Sequence, residues 1–107
     1  MRDFELSDLA ATIDERSKSL PEQSYTASLL EMGSAYCARK FGEESVEAIV
    51  AAVEGDGTAL TSEAADVLYH FLVLLQSCGV PYRSVMAELA KRSGRGGFAE
   101  KASRGNQ

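Results

Sequence analysis

Apolar residues recur every three to four positions through most of the first 92 residues, and each stretch of that pattern marks a helix. Leu6, Leu9, Ala10 and Ile13 define a first amphipathic helix over about 5–16, with Asp3 as its expected cap. "SKSLPEQS" interrupts it, and Pro21 with its polar neighbours reads as a loop. Ser24 stands where a cap belongs for a short helix, "YTASLLEM", which Gly33 ends. Ser34 is then expected to cap a long helix over about 35–54. "GDG" at 55–57 breaks the chain, Thr58 opens a second long helix over about 59–78, and Gly79 closes it. Pro81 starts a last helix over about 82–92, with Val85, Met86 and Leu89 turned inward. No convincing strand pattern appears. The prediction is therefore all-α: a bundle of about four to five helices in one domain, residues 1–92. Residues 93–107, "SGRGGFAEKASRGNQ", are rich in Gly, Ser and charge and predict a disordered tail.

Composition narrows the possible partners. A net charge of -5 repels phosphate backbones and argues against nucleic-acid binding. Cys37 and Cys78 belong to no CxxC or His/Cys cluster and are expected to be reduced core thiols of a cytosolic protein. "MRDFELSDLA" is acidic and has no long apolar run, so no signal peptide is expected. "VLYHFLVLL" is nine residues, far short of a membrane span. The expectation is a cytoplasmic protein that binds neither nucleic acid nor membrane. A domain of 107 residues is marginal alone, and its apolar faces exceed what one chain easily covers. A homodimer or higher homo-oligomer is expected to complete the bundle, burying parts of Phe41, Val46, Ile49, Leu72 and Leu75. Gly42 inside the long helix costs ~1 kcal/mol relative to Ala and suggests a close approach by a chain or ligand.

The chemistry lies in the acids. A helix turns about 100° per residue, so Glu44 and Glu47 share one face of the first long helix. Glu63 and Asp66 repeat the spacing on the second, where they interrupt an otherwise apolar or small stretch. The connection is short, so the helices should pack antiparallel, and the two pairs can face each other. Four carboxylates so placed repel one another, and a hard divalent cation such as Mg²⁺ relieves that repulsion. The plain alternative is a solvated acidic face, which suits Glu43 and Glu54.

His70 follows Asp66 by four residues on the same stripe, either as a substrate contact or carboxylate partner, or as a satisfied core or interface histidine. Lys40 precedes Glu44 by four, to meet a phosphate or to pair with Glu44. Arg16, Lys18 and Arg39 are further candidate phosphate contacts, against the plain alternative of solvated basic residues near helix ends. A single His cannot supply the two ExxH motifs of a di-iron bundle, and no P-loop, EF-hand loop or HExxH is present. What survives is a carboxylate-lined Mg²⁺ site suited to attack of water on a di- or triphosphate.

The ExxE of Glu44–Glu47 followed by the ExxD of Glu63–Asp66 resembles the motif of the MazG-like all-α nucleoside-triphosphate pyrophosphohydrolases, a group that includes the dimeric dUTPases. "SYTASLLEMG", "RKFGEESVEAIVAA", "SEAADVLYHFLVLL" and "GVPYRSVMAELAKR", in that order, resemble more narrowly the stand-alone phosphoribosyl-ATP pyrophosphohydrolases of histidine biosynthesis. That resemblance covers about residues 4–92, with Val67 where Leu is usual and Pro81 in place of a Ser cap. It implies hydrolysis of 1-(5-phosphoribosyl)-ATP to 1-(5-phosphoribosyl)-AMP and pyrophosphate, Mg²⁺ dependence, a cytoplasmic location and a dimer or higher assembly. Glu44, Glu47, Glu63 and Asp66 would hold the metal, and Glu43 would be an extra ligand or water-positioning base beside Glu44. Ser24, Tyr25, Thr26, Lys40 and His70 would contact the substrate. The competing expectations are a house-cleaning pyrophosphohydrolase acting on dUTP, dCTP or abnormal nucleotides, and a non-catalytic helical interaction module.

Overall fold

The computed structural model describes residues 2–94 and contains five helices. They are α1 (Leu6–Arg16), α2 (Tyr25–Glu31), α3 (Ser34–Val53), α4 (Gly57–Ser77) and α5 (Tyr82–Ser93). No strand occurs among the described residues, so the all-α expectation holds. The expected tail lies outside the described residues from position 95 on, whereas Ser93 still belongs to α5.

Helix starts differ from expectation wherever a better donor partner or a permissive glycine is at hand. Glu5, not Asp3, is the N-cap of α1, because Asp8 Oδ2 accepts the Glu5 backbone N–H at 2.8 Å. Ser24 caps α2 as expected, its Oγ accepting Ala27 N–H at 3.1 Å. Gly33, with φ +94°, is the N-cap of α3, so Ser34 is already helical. A residue in the left-handed region lets the chain leave α2 and enter α3 within two residues. Asp56 takes the role expected of Thr58: its Oδ1 accepts Ala59 N–H at 3.0 Å.

The α3–α4 hairpin is the frame of the molecule, with the most extensive helix–helix contact. Its short turn centres on Gly55, φ +75°, so residues equally far before and after it face each other. Phe41 meets Phe71 across the pair with ring centroids 5.7 Å apart. α4 also contacts α1, α2 and α5. By length and hydropathy alone α4 resembles a membrane span, at 21 residues and a mean hydropathy of 1.2 over its most apolar window. Its contacts with all four other helices make it the core helix of the bundle.

Ile13, Leu29, Cys37, Leu72 and Val73 form the buried centre. Cys37 donates its thiol to the Leu29 carbonyl at 3.3 Å, as a core residue should. Cys78, expected beside it, is exposed, because it is the C-cap of α4, where the chain turns away. Leu72, expected at an interface between copies, is core of the single chain. Val46 and Ile49 are exposed at 58% and 60% in the isolated chain, with Val50 and Val53 on the same stripe. A Cβ added at Gly42 would meet no other part of the described residues within 4 Å, and the position is exposed. α5 buries no residue; Tyr82 packs on the core, Val85 and Met86 are half-buried, and Leu89, expected inward, is exposed. Among the described residues the helix meets only α4 extensively.

Candidate active site

The hairpin register sets the site. Glu44 and Asp66 each stand eleven residues from Gly55, and Glu47 and Glu63 each stand eight. The four acids therefore pair across the helices on one face. Carboxylate oxygens of Glu44, Glu63 and Asp66 lie within 4.8 Å of one another. Glu47 completes the group, close enough to hydrogen-bond the carboxyl groups of both Glu44 and Glu63. Glu44 and Glu63 are half-buried, while Glu47 and Asp66 are exposed.

The electrostatics are those of mutually repelling carboxylates. Glu44 is held above the usual carboxylate range, chiefly by its hydrogen bond with Glu47, then by burial and by the charges of Glu47, Asp66 and Glu63. Glu63 is raised in the same way, first by the Glu47 hydrogen bond, then by burial and by the charges of Glu47 and Asp66. Oε2 of Glu63 is buried without a hydrogen-bond partner among the described residues. An orphaned, buried carboxylate oxygen beside other carboxylates fits a hard divalent ion, whose preferred ligands are oxygens. The donor set contains no sulfur.

Glu43 lies outside this group. Its carboxylate faces Lys40 at 3.4 Å and Arg39 at 3.8 Å. Lys40 thus pairs with Glu43 rather than with Glu44. Burial would lower the Lys40 ammonium, but the Glu43 hydrogen bond and the charges of Tyr25, Glu43 and Tyr36 outweigh it and raise it. Arg39 also lies over the Tyr36 ring at 4.9 Å from its centroid. Arg16 approaches Tyr69, and Lys18 instead pairs with exposed Asp14 at 3.7 Å.

An aromatic wall adjoins the acids. His70 is buried at 5% exposure, and its Nδ1 lacks a partner among the described residues. Burial, then Lys40, depress its pKa, and Asp66 opposes them. Tyr69 and Tyr25 set their rings edge-on to the imidazole at 5.1 and 6.3 Å. Within the Ser24–Tyr25–Thr26 triple, the Ser24 hydroxyl is engaged as the α2 cap, and Thr26 Oγ1 bonds Tyr69 Oη at 2.6 Å. Tyr25 alone of the three is exposed. Tyr69 is a further participant absent from the expected site, and its signal in the sequence is its i,i+3 spacing from Asp66.

A helical hairpin carrying ExxE against ExxD, flanked by short helices, defines an all-α protein with an acidic cluster on one face. Residues 6–93 match the family described as phosphoribosyl-ATP pyrophosphohydrolase. The chain is 52% identical to a phosphoribosyl-ATP pyrophosphatase of Rhizobium rhizogenes over 97% of its own length and all of the relative's. It is 57% identical to that of Ruegeria pomeroyi, covering 92% of the chain and 94% of the relative. It is 56% identical to phosphoribosyl-ATP pyrophosphatase 1 of Rhodopseudomonas palustris over 97% of each. This chain belongs to the phosphoribosyl-ATP pyrophosphohydrolase family.

Proposed function

We propose that this chain hydrolyses 1-(5-phosphoribosyl)-ATP to 1-(5-phosphoribosyl)-AMP and pyrophosphate, the second step of histidine biosynthesis, in the cytoplasm. Family membership supports the reaction. The observation that carries the site is the meeting of Glu44, Glu63 and Asp66 within 4.8 Å. Those three, with Glu47, would hold Mg²⁺. Once bound, the ion supplies charge neutralisation on the triphosphate and Lewis-acid activation of water.

The chain's own residues supply position. Glu44 and Glu47 project from one rigid helix and Glu63 and Asp66 from another, so the ligands are set before substrate arrives. Glu43, one residue from Glu44, is assigned to orient the attacking water and accept its proton. The Lys40 ammonium, held in place by Glu43 at 3.4 Å, meets a substrate phosphate. Tyr25 and His70 contact the substrate from the aromatic wall. Ser24 and Thr26 serve them from behind, by capping α2 and by fixing the Tyr69 hydroxyl. The working unit is a homodimer, in which the stripe of Val46, Ile49, Val50 and Val53 is covered by a second copy.

The test is pyrophosphate release from phosphoribosyl-ATP, ATP, dUTP and dCTP, with and without Mg²⁺. Rapid, Mg²⁺-dependent release from phosphoribosyl-ATP is the expected result. Preference for dUTP or dCTP would make the chain a house-cleaning enzyme, and no release from any substrate would make it a binding module. Sedimentation as a monomer at micromolar concentration would refute the dimer.

A further inference from the structure

Tyr25 is an uncommon kind of exposed residue. The residue is 59% exposed at the first turn of α2, yet its ring has aromatic neighbours. Tyr69 lies nearly parallel to it, with an interplanar angle of 14° and ring centroids 6.3 Å apart. His70 holds it edge-on from the side, and Tyr69 is itself fixed by Thr26 at 2.6 Å. The result is a rigid aromatic surface presented to solvent. It adjoins the acidic centre through His70, which stands one turn after Asp66 on α4.

The charge around this surface is negative. Glu43, Glu44, Glu47, Glu63 and Asp66 outnumber the nearby cations Lys40 and Arg39, both paired with Glu43, and Arg16, which approaches Tyr69. A π face in a negative field suits a planar cation. The substrate proposed above contains one. A glycosyl substituent on N1 of adenine makes the base far more basic than that of ATP, so at neutral pH it carries a proton and a positive charge. The adenine of ATP is neutral under the same conditions.

Resting on the activity proposed above, we propose that Tyr25, backed by Tyr69 and His70, receives the cationic N1-substituted adenine of phosphoribosyl-ATP and selects it over neutral-base nucleoside triphosphates. Tyr25 is then a specificity-determining residue rather than a catalytic one.

The experiment is calorimetric titration of the full chain with α,β-methylene-ATP and its 1-methyl derivative, neither of which can be cleaved between the α and β phosphorus atoms. The wild type is expected to bind the 1-methyl compound ~2- to 30-fold more tightly, the range a cation–π contact supplies. Tyr25→Phe keeps the preference, because the ring face remains. Tyr25→Leu abolishes it, with the melting curve unchanged because the side chain is exposed. Equal affinities in the wild type, or a preference that survives in Tyr25→Leu, overturn the assignment. Pyrophosphate release from phosphoribosyl-ATP by the same wild-type preparation separates the two levels. No release overturns the proposed activity and this assignment with it. Release accompanied by equal affinities overturns this assignment alone.

Discussion

At the start of α1, Asp8 accepts hydrogen bonds from Arg2 Nη1 and Nη2 at 2.8 and 2.9 Å and from the Glu5 backbone N–H at 2.8 Å. The Arg2 bond, then the backbone bond, hold its carboxyl below the usual range. Across the α3–α4 hairpin, Glu44 and Glu63 are held above that range, first by the hydrogen bond each makes with Glu47. The residue chemistry is the same, and the direction is opposite. Asp8 is supplied with donors by the fold itself, so it is structurally complete. The hairpin acids are supplied chiefly with one another, and Glu63 Oε2 has no partner among the described residues. A carboxylate cluster of that kind is relieved by bound protons or, as proposed above, by a divalent cation.

The largest expected effect is on turnover. Glu44→Gln or Asp66→Asn removes a metal oxygen's charge while keeping size, and each should cost ten- to a thousandfold or more in rate, about 1.4–4 kcal/mol of barrier. Circular dichroism should show the fold intact, since less repulsion remains. Glu54→Gln, at the exposed C-cap of α3, is the control and should turn over normally. Wild-type rates in Glu44→Gln and Asp66→Asn would remove the acidic centre from the mechanism.

Next in size is metal-linked stability. A ligand that binds only the native state stabilises it by about 2.7 kcal/mol at a hundred times its Kd. Millimolar Mg²⁺ should therefore raise the melting temperature, and Glu47→Gln should blunt the rise. A melting curve indifferent to Mg²⁺ would place no metal site in the folded chain.

The pH profile tests the contrast directly. In chelator, the raised Glu44 and Glu63 bind protons more tightly folded than unfolded, so stability should fall as pH rises from the ordinary carboxylate value through their folded ones. Asp8 is depressed, so its contribution is present above the ordinary value and is lost as pH falls through its folded one. Glu63→Gln should flatten the first slope and leave the acid limb alone. A metal-free melting temperature that rises with pH through the first window would contradict the clustering.

Asp8→Asn is the smallest change. It loses charge pairing with an exposed Arg2, so the melting temperature at neutral pH should drop by no more than a few degrees. Turnover should not move. A loss of activity would tie α1 to the chemistry in a way the geometry does not suggest.

The chain's periodicity determined more than its helices. Glycine breaks at 33, 55 and 79 separated the elements, and a short turn after a long helix required an antiparallel return. That return let the pairs Glu44–Glu47 and Glu63–Asp66 face each other across the two helices. Local competition decided the caps. Asp56 and Gly33 displaced Thr58 and Ser34 because a carboxylate with a free N–H in reach, or a residue at ease with positive φ, wins within one or two positions. Only tertiary structure decided burial. Leu89 and Cys78 sit in apolar patterns like their neighbours, yet both are exposed among the described residues, whereas Leu72 is sealed by helices distant in sequence. The aromatic wall is also a tertiary product. Tyr25 and Tyr69 are far apart along the chain, and only the docking of α2 against α4 brings their rings together. Spacing along one helix fixes which side chains share a face, by the 100° turn per residue. What lies against that face depends on the packing of the other helices, which no local pattern encodes.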